Sequence, residues 1–397
     1  MKWVGRFAVI LTFIAVLVFI MQQPDTLQAL VDSLTHVVDG SPGPVEDRPE
    51  QATTVPREEI TTLPTRSEQQ EAASSSQTAM KEEGLEHSAF YSAETERLEQ
   101  EFVWDYAGQE WTFSLAIPSA LYEHYAAKER LPYIHDGMFA VYATDPLQGE
   151  LVERMAEGLS AAAAREGWSL RQQVEFTLAL IQAMEYVADD MSKGVAQYAR
   201  YPVETLVEQV GDCKDKSILY ASLLSAMGID VVFIVLAGEP GHLAVGVKGE
   251  DFSGTYYDDQ GSRYYYAETT SSGWRIGEMP DEYRSQKATI VPVKPQPLLR
   301  HHWESQIAST GQVEMVVTVK NLGSDTSYDT WVYVALDAGE DEVYAQQWSE
   351  PLDIPPGGEG TYTHYLQAPK GVPMRLLVTI ARDRYLVEES SSEWFTI

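Results

Sequence analysis

Cysteine is nearly absent from this 397-residue sequence, which contains a single one, Cys213. One cysteine cannot form an internal disulfide, and it cannot by itself build a thiolate zinc site. The sequence also lacks a glycine-rich phosphate-binding loop. Its only adjacent histidine pair, His301 and His302, follows Pro295 and Pro297 in a stretch that we interpret as a solvated linker. We therefore expect neither a cofactor nor a metal ion.

Basic residues are scarce as well, since 28 Lys and Arg stand against 60 Asp and Glu and give a net charge of −32. Binding to nucleic acid or to anionic lipid headgroups depends on Lys and Arg that neutralise phosphates, so this balance argues against both. We expect no nucleic-acid partner. The apolar fraction of 44% is enough to form real hydrophobic cores, and the length fits about two ordinary domains.

The N-terminus contains a long apolar run, residues 3–21, with only three interruptions. As a helix this run would span roughly 28 Å, close to the hydrocarbon thickness of a bilayer. Basic residues precede it and acidic residues follow it, so the positive-inside rule places the N-terminus in the cytoplasm and the rest outside. We predict a single-pass cell-membrane anchor at 1–22 that contacts lipid through residues 3–21. A cleaved signal peptide is the alternative, but a poor cleavage site follows Met21.

Residues 23–100 are predicted to form an acidic linker rich in Pro, Ser and Thr. Apolar residues recur at helical spacing between 27 and 38, which predicts a short juxtamembrane helix. From 41 to 77 large apolar residues are few, so the segment cannot bury enough surface to offset the entropy of ordering it. We expect this part of the linker to be disordered.

The segment 101–295 combines a helical front with a β-rich back. Apolar residues on both sides of a turn at 107–109 predict a hairpin, and helical spacing then gives way to the period of strands. The predicted helices lie at 147–165, 169–187 and 211–228. The predicted strands lie at 231–236, 242–247 and 264–270. Helices followed by an antiparallel sheet indicate an α+β fold.

The candidate nucleophile is Cys213. A free cysteine is often only a small buried hydrophobe. This one lies at the predicted start of an apolar helix, where unpaired backbone N–H groups and the helix dipole stabilise a thiolate. Lys214 and Lys216 add positive charge nearby. Composition alone leaves both interpretations open, a buried hydrophobe and a reactive thiol.

A thiolate nucleophile needs an imidazole to exchange its proton and an acceptor to orient that imidazole. His242 opens a predicted strand in which small residues leave room beside the ring, so it is the candidate base. Glu268 lies among aromatic residues, where a carboxylate would be costly to bury without a partner. Asp258 and Asp259 are alternatives for the acid, although their setting is typical of a turn.

Three segments, in this order and spacing, resemble the three blocks of the transglutaminase-like superfamily. They are Gly-Asp-Cys-Lys-Asp-Lys-Ser at 211–217, Gly-His-Leu-Ala-Val-Gly-Val at 241–247 and Tyr-Tyr-Tyr-Ala-Glu-Thr-Thr at 264–270. The flanking segments 201–206 and 273–280 resemble a microbial, largely archaeal, branch of that superfamily. The resemblance covers residues 102–293.

This resemblance implies a papain-like α+β fold in which a cysteine on a helix faces a histidine and an acid on a sheet. It assigns Cys213 as the nucleophile, His242 as the general base and acid, and Glu268, where the superfamily usually has aspartate, as the carboxylate that orients the imidazole. An oxyanion hole is also required. The backbone N–H of Cys213 is the expected first donor. Gln182 is a candidate side-chain donor, unless it is only a polar residue on a helix face.

The C-terminal segment 296–397 is predicted to be a separate module. Alternating segments separated by turns predict short strands at 313–320, 331–336, 343–348, 361–366, 375–381 and 393–397. Strands of this length and spacing indicate an Ig-like antiparallel β-sandwich. The module is similar to adhesion-type sandwiches of microbial surface proteins, but the sandwich fold itself specifies no chemistry.

Two functions from different classes follow. The first is a membrane-anchored, extracytoplasmic thiol enzyme that attacks a protein or peptide carboxamide and forms a thioester. Transfer of the acyl group to water would make it a cysteine peptidase or amidase, and transfer to an amine would make it a cross-linking acyltransferase. The second is an inactive surface scaffold or adhesion protein that binds through the β-sandwich. The presence of all three residues of a Cys-His-Glu triad favours the enzyme.

Overall fold

The computed structural model of the chain describes residues 50–51, 77–81, 90–92, 96–128, 130, 136–195, 197–339, 342–382 and 385–397. All of them belong to one compact unit, Pro49–Ile397. The predicted anchor at 1–22 and the predicted juxtamembrane helix lie outside the described residues. Within the described ranges, no helix has the length and apolarity needed to cross a bilayer.

The described part of the predicted linker contains two short strands. β1 (Glu50–Gln51) runs parallel to the strand Tyr256–Asp259, and β2 (Gln77–Lys81) runs antiparallel to the strand Glu359–Gln367. At β1 the chain extends a sheet instead of being disordered as expected for 41–77, and β2 begins at the end of that segment. The edge of a sheet offers unpaired N–H and C=O groups, which explains why a polar segment can pair there.

The predicted hairpin is confirmed. β3 (Arg97–Tyr106) and β4 (Gln109–Pro118) pair antiparallel along their whole length. Their turn, Ala107–Gly108, has positive φ at both residues, the backbone geometry that matches the twist of two-residue hairpins. The hairpin packs on the helical layer through aromatic rings such as Trp104 and Phe176, whose centroids are 5.1 Å apart.

The helical layer follows the hairpin. Its elements are α1 (Ser119–Ala127), α2 (Met138–Thr144), α3 (Gly149–Arg165), α4 (Leu170–Ala183), β5 (Glu185–Tyr186), α5 (Asp189–Ser192), α6 (Pro202–Glu208), β6 (Val210–Gly211) and α7 (Cys213–Ala226). Buried apolar side chains of these helices, the hairpin and the following sheet form the larger core.

Helix α4 begins as predicted but ends earlier. The Ser169 side chain caps its first turn, and the Ser169 backbone N–H donates to the Gln172 side-chain oxygen at 3.0 Å. The prediction that the helix reaches residue 187 is wrong, because β5 pairs in parallel with β6. That pairing places Tyr186 opposite Gly211, two residues before the cysteine.

Helix α7 lies at the centre of this half of the molecule. Every residue from Lys214 to Leu224 is buried, including two lysines and an aspartate. A helix that is covered on all sides shows no polar face, so its sequence is mostly apolar around its circumference. The charged residues at its start must therefore find partners inside the protein.

The sheet behind α7 contains the predicted strands. Its new strands are β7 (Val231–Leu236), β8 (His242–Lys248), β9 (Tyr256–Asp259), β10 (Ser262–Ala267) and β11 (Ala288–Pro292). The order is β1-β9-β10-β8-β7-β11, so β8 is an inner strand and His242 is its first residue. The fold of this part is mixed, with helices packed against a largely antiparallel sheet, which confirms the α+β expectation.

The C-terminal part consists of two antiparallel sheets that share a second apolar core. One sheet contains β12 (Leu299–Ile307), β13 (Gln312–Asn321) and β17 (Glu359–Gln367), together with β2. The other contains β14 (Ser327–Gly339), β15 (Glu342–Trp348), β16 (Leu352–Ile354), β18 (Arg375–Arg382) and β19 (Tyr385–Ser391). The predicted strand at 393–397 is wrong, since the last strand lies earlier, at β19.

The interpretation of His301 and His302 as solvated linker is also wrong, because both lie within β12. The His301 ring bridges the two sheets, with Nδ1 2.7 Å from Glu388 Oε2 and Nε2 2.6 Å from the Ser390 hydroxyl. An edge strand rich in polar residues resembles linker sequence, and only its partners on β19 show that it is ordered. The domain boundaries at 101–295 and 296–397 stay predictions.

Candidate active site

Cys213 is half-buried and is the first residue of α7. The Asp212 carboxylate caps this helix, accepting from the backbone N–H of Lys214 at 3.0 Å and of Asp215 at 3.4 Å. The Asp215 carboxylate in turn accepts from the Asp212 backbone N–H, which completes a capping box. These caps satisfy the second and third N–H groups of the helix. In the described hydrogen-bond network they leave the N–H of Cys213 itself without a partner.

The capping box is held from behind by Arg200, whose side chain is fully buried. Its Nη1 lies 2.6 Å from Asp215 Oδ2, and its Nε lies 2.9 Å from Glu208 Oε2. Gly211 is required beside this group, since a Cβ there would lie 2.7 Å from Asp215 Cβ. The sequence Gly-Asp-Cys-Lys-Asp thus fixes the start of α7 through backbone approach, cap and buried ion pair.

The sequence led us to expect that Lys214 and Lys216 add positive charge near the cysteine. In the structure, both lysines are instead engaged by other groups. Lys214 forms ion pairs with Asp212 and, at 2.5 Å, with Asp189. Lys216 is fully buried and donates to the carbonyls of Met184 and Thr270, at 2.9 Å each. Burial lowers the pKa of Lys216 to about 8. Both lysines therefore hold neighbouring elements in place around the cysteine.

A metal is not needed to explain the acidic residues here. In the described part of the chain, one group of possible metal ligands comes together, Asp189, Asp212 and Asp215, with ligand atoms within 4.8 Å of one another. The Lys214 ammonium and the Arg200 guanidinium already contact these carboxylates. Two protein cations thus contact the three carboxylates, so the group is an internal ion-pair network.

The structure brings two of the sequence-predicted triad residues, His242 and Glu268, into direct contact. His242 Nε2 lies 3.0 Å from Glu268 Oε2, and both side chains are almost fully buried. Because Nε2 faces the carboxylate, Nδ1 is the ring nitrogen left for the Cys213 thiol. Burial lowers the pKa of His242, but the hydrogen bonds and charges of Cys213 and Glu268 outweigh it and raise the pKa to about 9. The imidazole is therefore protonated at neutral pH.

Glu268 follows the end of β10 and is saturated with donors. Oε2 accepts from the Tyr266 hydroxyl at 2.8 Å in addition to His242, and Oε1 accepts from the N–H and the hydroxyl of Thr270 at 3.0 and 2.7 Å. Burial raises the pKa of Glu268, but the hydrogen bond and charge of His242, with the Thr270 and Tyr266 bonds, lower it to about 2. The acid stays ionised and fixed.

The alternative acids lie elsewhere. Asp258 and Asp259 belong to β9, and Asp258 Oδ1 accepts from the Gly261 N–H at 3.1 Å in the turn that leads to β10. This is the turn role that the sequence indicated. The longer glutamate side chain at 268 reaches the imidazole without difficulty, so replacement of the usual aspartate does not break the arrangement.

Gln182 does not have the oxyanion role that the sequence analysis considered. Its Nε2 donates to the carbonyls of Glu268 at 2.8 Å and of Trp274 at 3.0 Å, so both amide hydrogens are used. Gln182 thus ties α4 to the segment that carries the acid. The physical reason is its burial, since a buried amide must satisfy its donors within the protein.

Sequence reasoning missed several residues that shape the site. Tyr283 stacks on the His242 ring, with centroids 4.2 Å apart and planes within 5°. Ser217 Oγ donates to the Leu243 carbonyl at 2.9 Å and lies 3.0 Å from Thr269 Oγ1, which links α7 to the sheet. Ser217 could have been noticed as a polar residue inside an apolar helix. No local pattern marks Tyr283, whose contact depends on the path of the chain beyond the acid.

No family model matches the chain, and no curated protein matches it. Solved structures with some likeness include LapG of Legionella pneumophila, 16% identical over 35% of this chain and 79% of that one, with a TM-score of 0.25. Red sea bream transglutaminase is 10% identical over 77% of this chain and 62% of that one, with a TM-score of 0.22.

The CARDB domain of the PF1109 protein from Pyrococcus furiosus, solved in complex with di-metal ions, is 21% identical over 23% of this chain and 76% of that one, with a TM-score of 0.19. Each of these TM-scores lies well below one half, so the likenesses carry no functional argument. What the site can do follows from its own geometry.

Proposed function

We propose that the chain is a membrane-anchored, extracytoplasmic thiol acyltransferase or amidase with a papain-like, transglutaminase-like core. Support comes chiefly from one observation, the buried imidazole of His242, which lies 3.0 Å from the Glu268 carboxylate and whose pKa is raised in part by Cys213. A cysteine that serves only as a small hydrophobe would need neither a protonated imidazole nor a fourfold hydrogen-bonded acid behind it.

The chemistry proceeds in two halves. The Cys213 thiolate attacks the carbonyl carbon of a peptide or glutamine carboxamide, and the N–H of Cys213 faces the oxyanion that forms. The His242 imidazolium then gives its proton to the departing amine or ammonia as the C–N bond breaks, which leaves a thioester on Cys213. Water or a primary amine next attacks the thioester, His242 takes the proton of that nucleophile, and the thiolate departs.

The acid does not accept the proton at any stage. Glu268 accepts four hydrogen bonds in the resting site, and its lowered pKa keeps it ionised. Its role is to hold the imidazole with Nδ1 toward the sulfur and to stabilise the positive ring. A role of this kind is compatible with glutamate as well as with aspartate, since only the position of the carboxylate matters.

Intact-mass measurement after brief exposure to iodoacetamide tests the proposal. The wild-type chain should gain one carbamidomethyl group rapidly at pH 7, and Cys213→Ala should gain none. Ammonia release from a glutamine peptide, measured with and without a primary amine, then separates hydrolysis from acyl transfer. A thiol that alkylates no faster than free cysteine, together with no ammonia release, would favour the inactive scaffold instead.

A further inference from the structure

Two tyrosine residues, Tyr186 and Tyr283, belong to segments that adjoin Cys213 and His242. Tyr186 belongs to β5, and the Val187 N–H donates to the Gly211 carbonyl at 3.2 Å, so its backbone is fixed beside the start of α7. Tyr283 stacks flat on the His242 ring. Burial and then the charge of Cys213 raise the pKa of Tyr186 to about 12, which is consistent with a ring next to the sulfur.

Tyr186 is exposed where a structural aromatic would be covered. Its side chain is 52% exposed, and its hydroxyl makes no hydrogen bond in the described network. The larger core does not include it. An aromatic ring that is held rigidly by its backbone and yet left open to solvent is typical of a contact residue for a ligand.

Two apolar residues of the segment that follows Tyr186 are exposed as well. Met191 and Val195 are 81% and 47% exposed, and their segment is held beside α7 by the ion pair between Asp189 and Lys214. Apolar rim residues of this kind, on a chain with a net charge of −32, fit an apolar ligand group better than a charged one. The exposed Asp190 on the same segment disfavours acidic ligands in particular.

We propose that Tyr186 and Tyr283 form an aromatic clamp on the two sides of the Cys213–His242 pair, and that the clamp selects peptide acyl donors with a large apolar side chain next to the attacked carboxamide. This inference rests on the proposed acyl-transfer function and names its substrate class. Tyr283 also positions the imidazole, whereas Tyr186 contacts only the substrate. The two residues should therefore respond differently to substitution.

Steady-state kinetics of the full chain on two glutamine peptides, with Phe or Gly next to the glutamine, test the clamp. Tyr186→Ala should raise KM for the Phe peptide about 10-fold with little change for the Gly peptide, since a lost apolar contact weakens binding by that order. Tyr186→Phe keeps the ring and should behave as wild type. Tyr344→Ala, which removes an exposed tyrosine on β15 of the C-terminal sheets, is the matched control.

Iodoacetamide alkylation separates binding from thiol chemistry. Tyr186→Ala should alkylate at the wild-type rate, and Tyr283→Ala should alkylate more slowly because the imidazole loses its stacked support. Equal effects of Tyr186→Ala on the two peptides would overturn the clamp. A Tyr186→Phe variant as impaired as Tyr186→Ala would also overturn it, because the hydroxyl and not the ring would then matter.

Peptide binding keeps this test independent of turnover. Cys213→Ala removes the nucleophile, and calorimetric titration of that full-length variant with the same two peptides measures the clamp alone. If Cys213→Ala binds the Phe peptide more tightly and the Cys213→Ala, Tyr186→Ala double variant does not, the clamp is supported. This holds even if the wild-type protein proves inactive. Equal affinities for the two peptides would contradict it while leaving the proposed acyl transfer intact.

Discussion

At the scale of single residues, the proton on His242 decides the behaviour of the site. Its pKa of about 9 means that the ring is charged throughout the neutral range and loses its proton only as the pH rises through about 9. The charged ring stabilises a thiolate beside it, and the thiolate is the nucleophilic form. An unperturbed thiol is ionised by only a few per cent at pH 7.

His242→Ala should therefore slow alkylation of Cys213 at pH 7 by about 10-fold or more, and the difference from wild type should shrink above pH 9, where any thiol ionises. Turnover should fall further, by about 10² to 10⁴, because the general acid and base is also lost. Alkylation rates between pH 5 and 10 check the first expectation. Identical rate profiles for the two proteins would show that the imidazole does not govern the thiol.

Glu268→Gln should affect turnover more than alkylation. The amide cannot stabilise the positive ring, so the raised pKa of His242 should fall toward 6.5. The charged ring beside Cys213 should then be lost at a lower pH than in the wild type. Thiol reactivity below pH 6 should change little. Rate profiles of ammonia release and of alkylation, measured on the same samples, check this. A larger loss in alkylation than in turnover would contradict the orienting role.

The pKa shifts of His242 and Glu268 limit the stability of the folded state at opposite ends of the pH range. The raised pKa of His242 contributes stability that is complete below about pH 6.5 and is lost as the pH rises through about 9. The lowered pKa of Glu268 contributes stability that is complete above about pH 4.5 and is lost as the pH falls through about 2. The buried pair should therefore favour the folded state most between these limits, in mildly acidic to neutral solution.

At the scale of elements, α7 depends on the buried ion pair at its start. Arg200→Met removes a fully buried cation and leaves the buried Asp215 carboxyl without its ion-pair partner, which should cost about 3–5 kcal/mol in the free energy of unfolding. Arg154→Met breaks the exposed pair with Glu150 and should cost about 0.5 kcal/mol or less. Urea denaturation of both variants checks this. Equal losses would mean that the pair does not anchor the helix.

Some elements were predictable because their signals are local. The starts of α4 and α7 and the turn at 107–109 each depend on signals within a few residues, and the structure has all three within about two residues of where the sequence indicated. Other features depend on distant partners. Parallel pairing with β6 ended α4 early, and the partners of Gln182 lie 86 and 92 residues away.

The candidate triad could be predicted for a related reason. A cysteine at a helix start and a histidine at a strand start are visible in the sequence, and the resemblance joined them to Glu268. The residues that hold the triad could not be predicted. Lys216 and Tyr283 contact segments that are far away in the chain, and Arg200 contacts carboxylates 8 and 15 residues away on two helices; no spacing rule marks such contacts.

At the scale of the whole molecule, the two cores touch at a small set of residues. Leu298 is buried against the core of the helical part, and Thr144 Oγ1 lies 2.7 Å from Ser324 Oγ. A protein truncated after Pro295 should fold and keep its thiol reactivity, but burial of Leu298 would be lost at a cost of about 1.5–3 kcal/mol. Thermal unfolding and alkylation of the truncated protein check this. An insoluble product would show that the two parts share one core.

The predicted anchor also belongs to this scale, because it would decide where the proposed acyl-transfer chemistry takes place. The run at 3–21 is long enough to cross a bilayer as a helix, and the charges that flank it predict that the rest of the chain lies on the outer side. The segment 41–77 is rich in Pro, Ser, Thr and Glu, a composition that favours proteolytic cleavage over compact packing. Folded parts on an outer surface, joined by such a segment, should be accessible to added protease.

Protease treatment of intact cells should therefore release a soluble fragment that begins between residues 41 and 77 and retains the alkylatable Cys213. The apolar N-terminal piece should stay with the membrane fraction. Cells opened before treatment serve as the control, since a protein on the inner side would be cut only in them. Recovery of an untreated soluble protein that starts near Gln22 would instead identify a cleaved signal peptide, and the protein would then be free of the membrane.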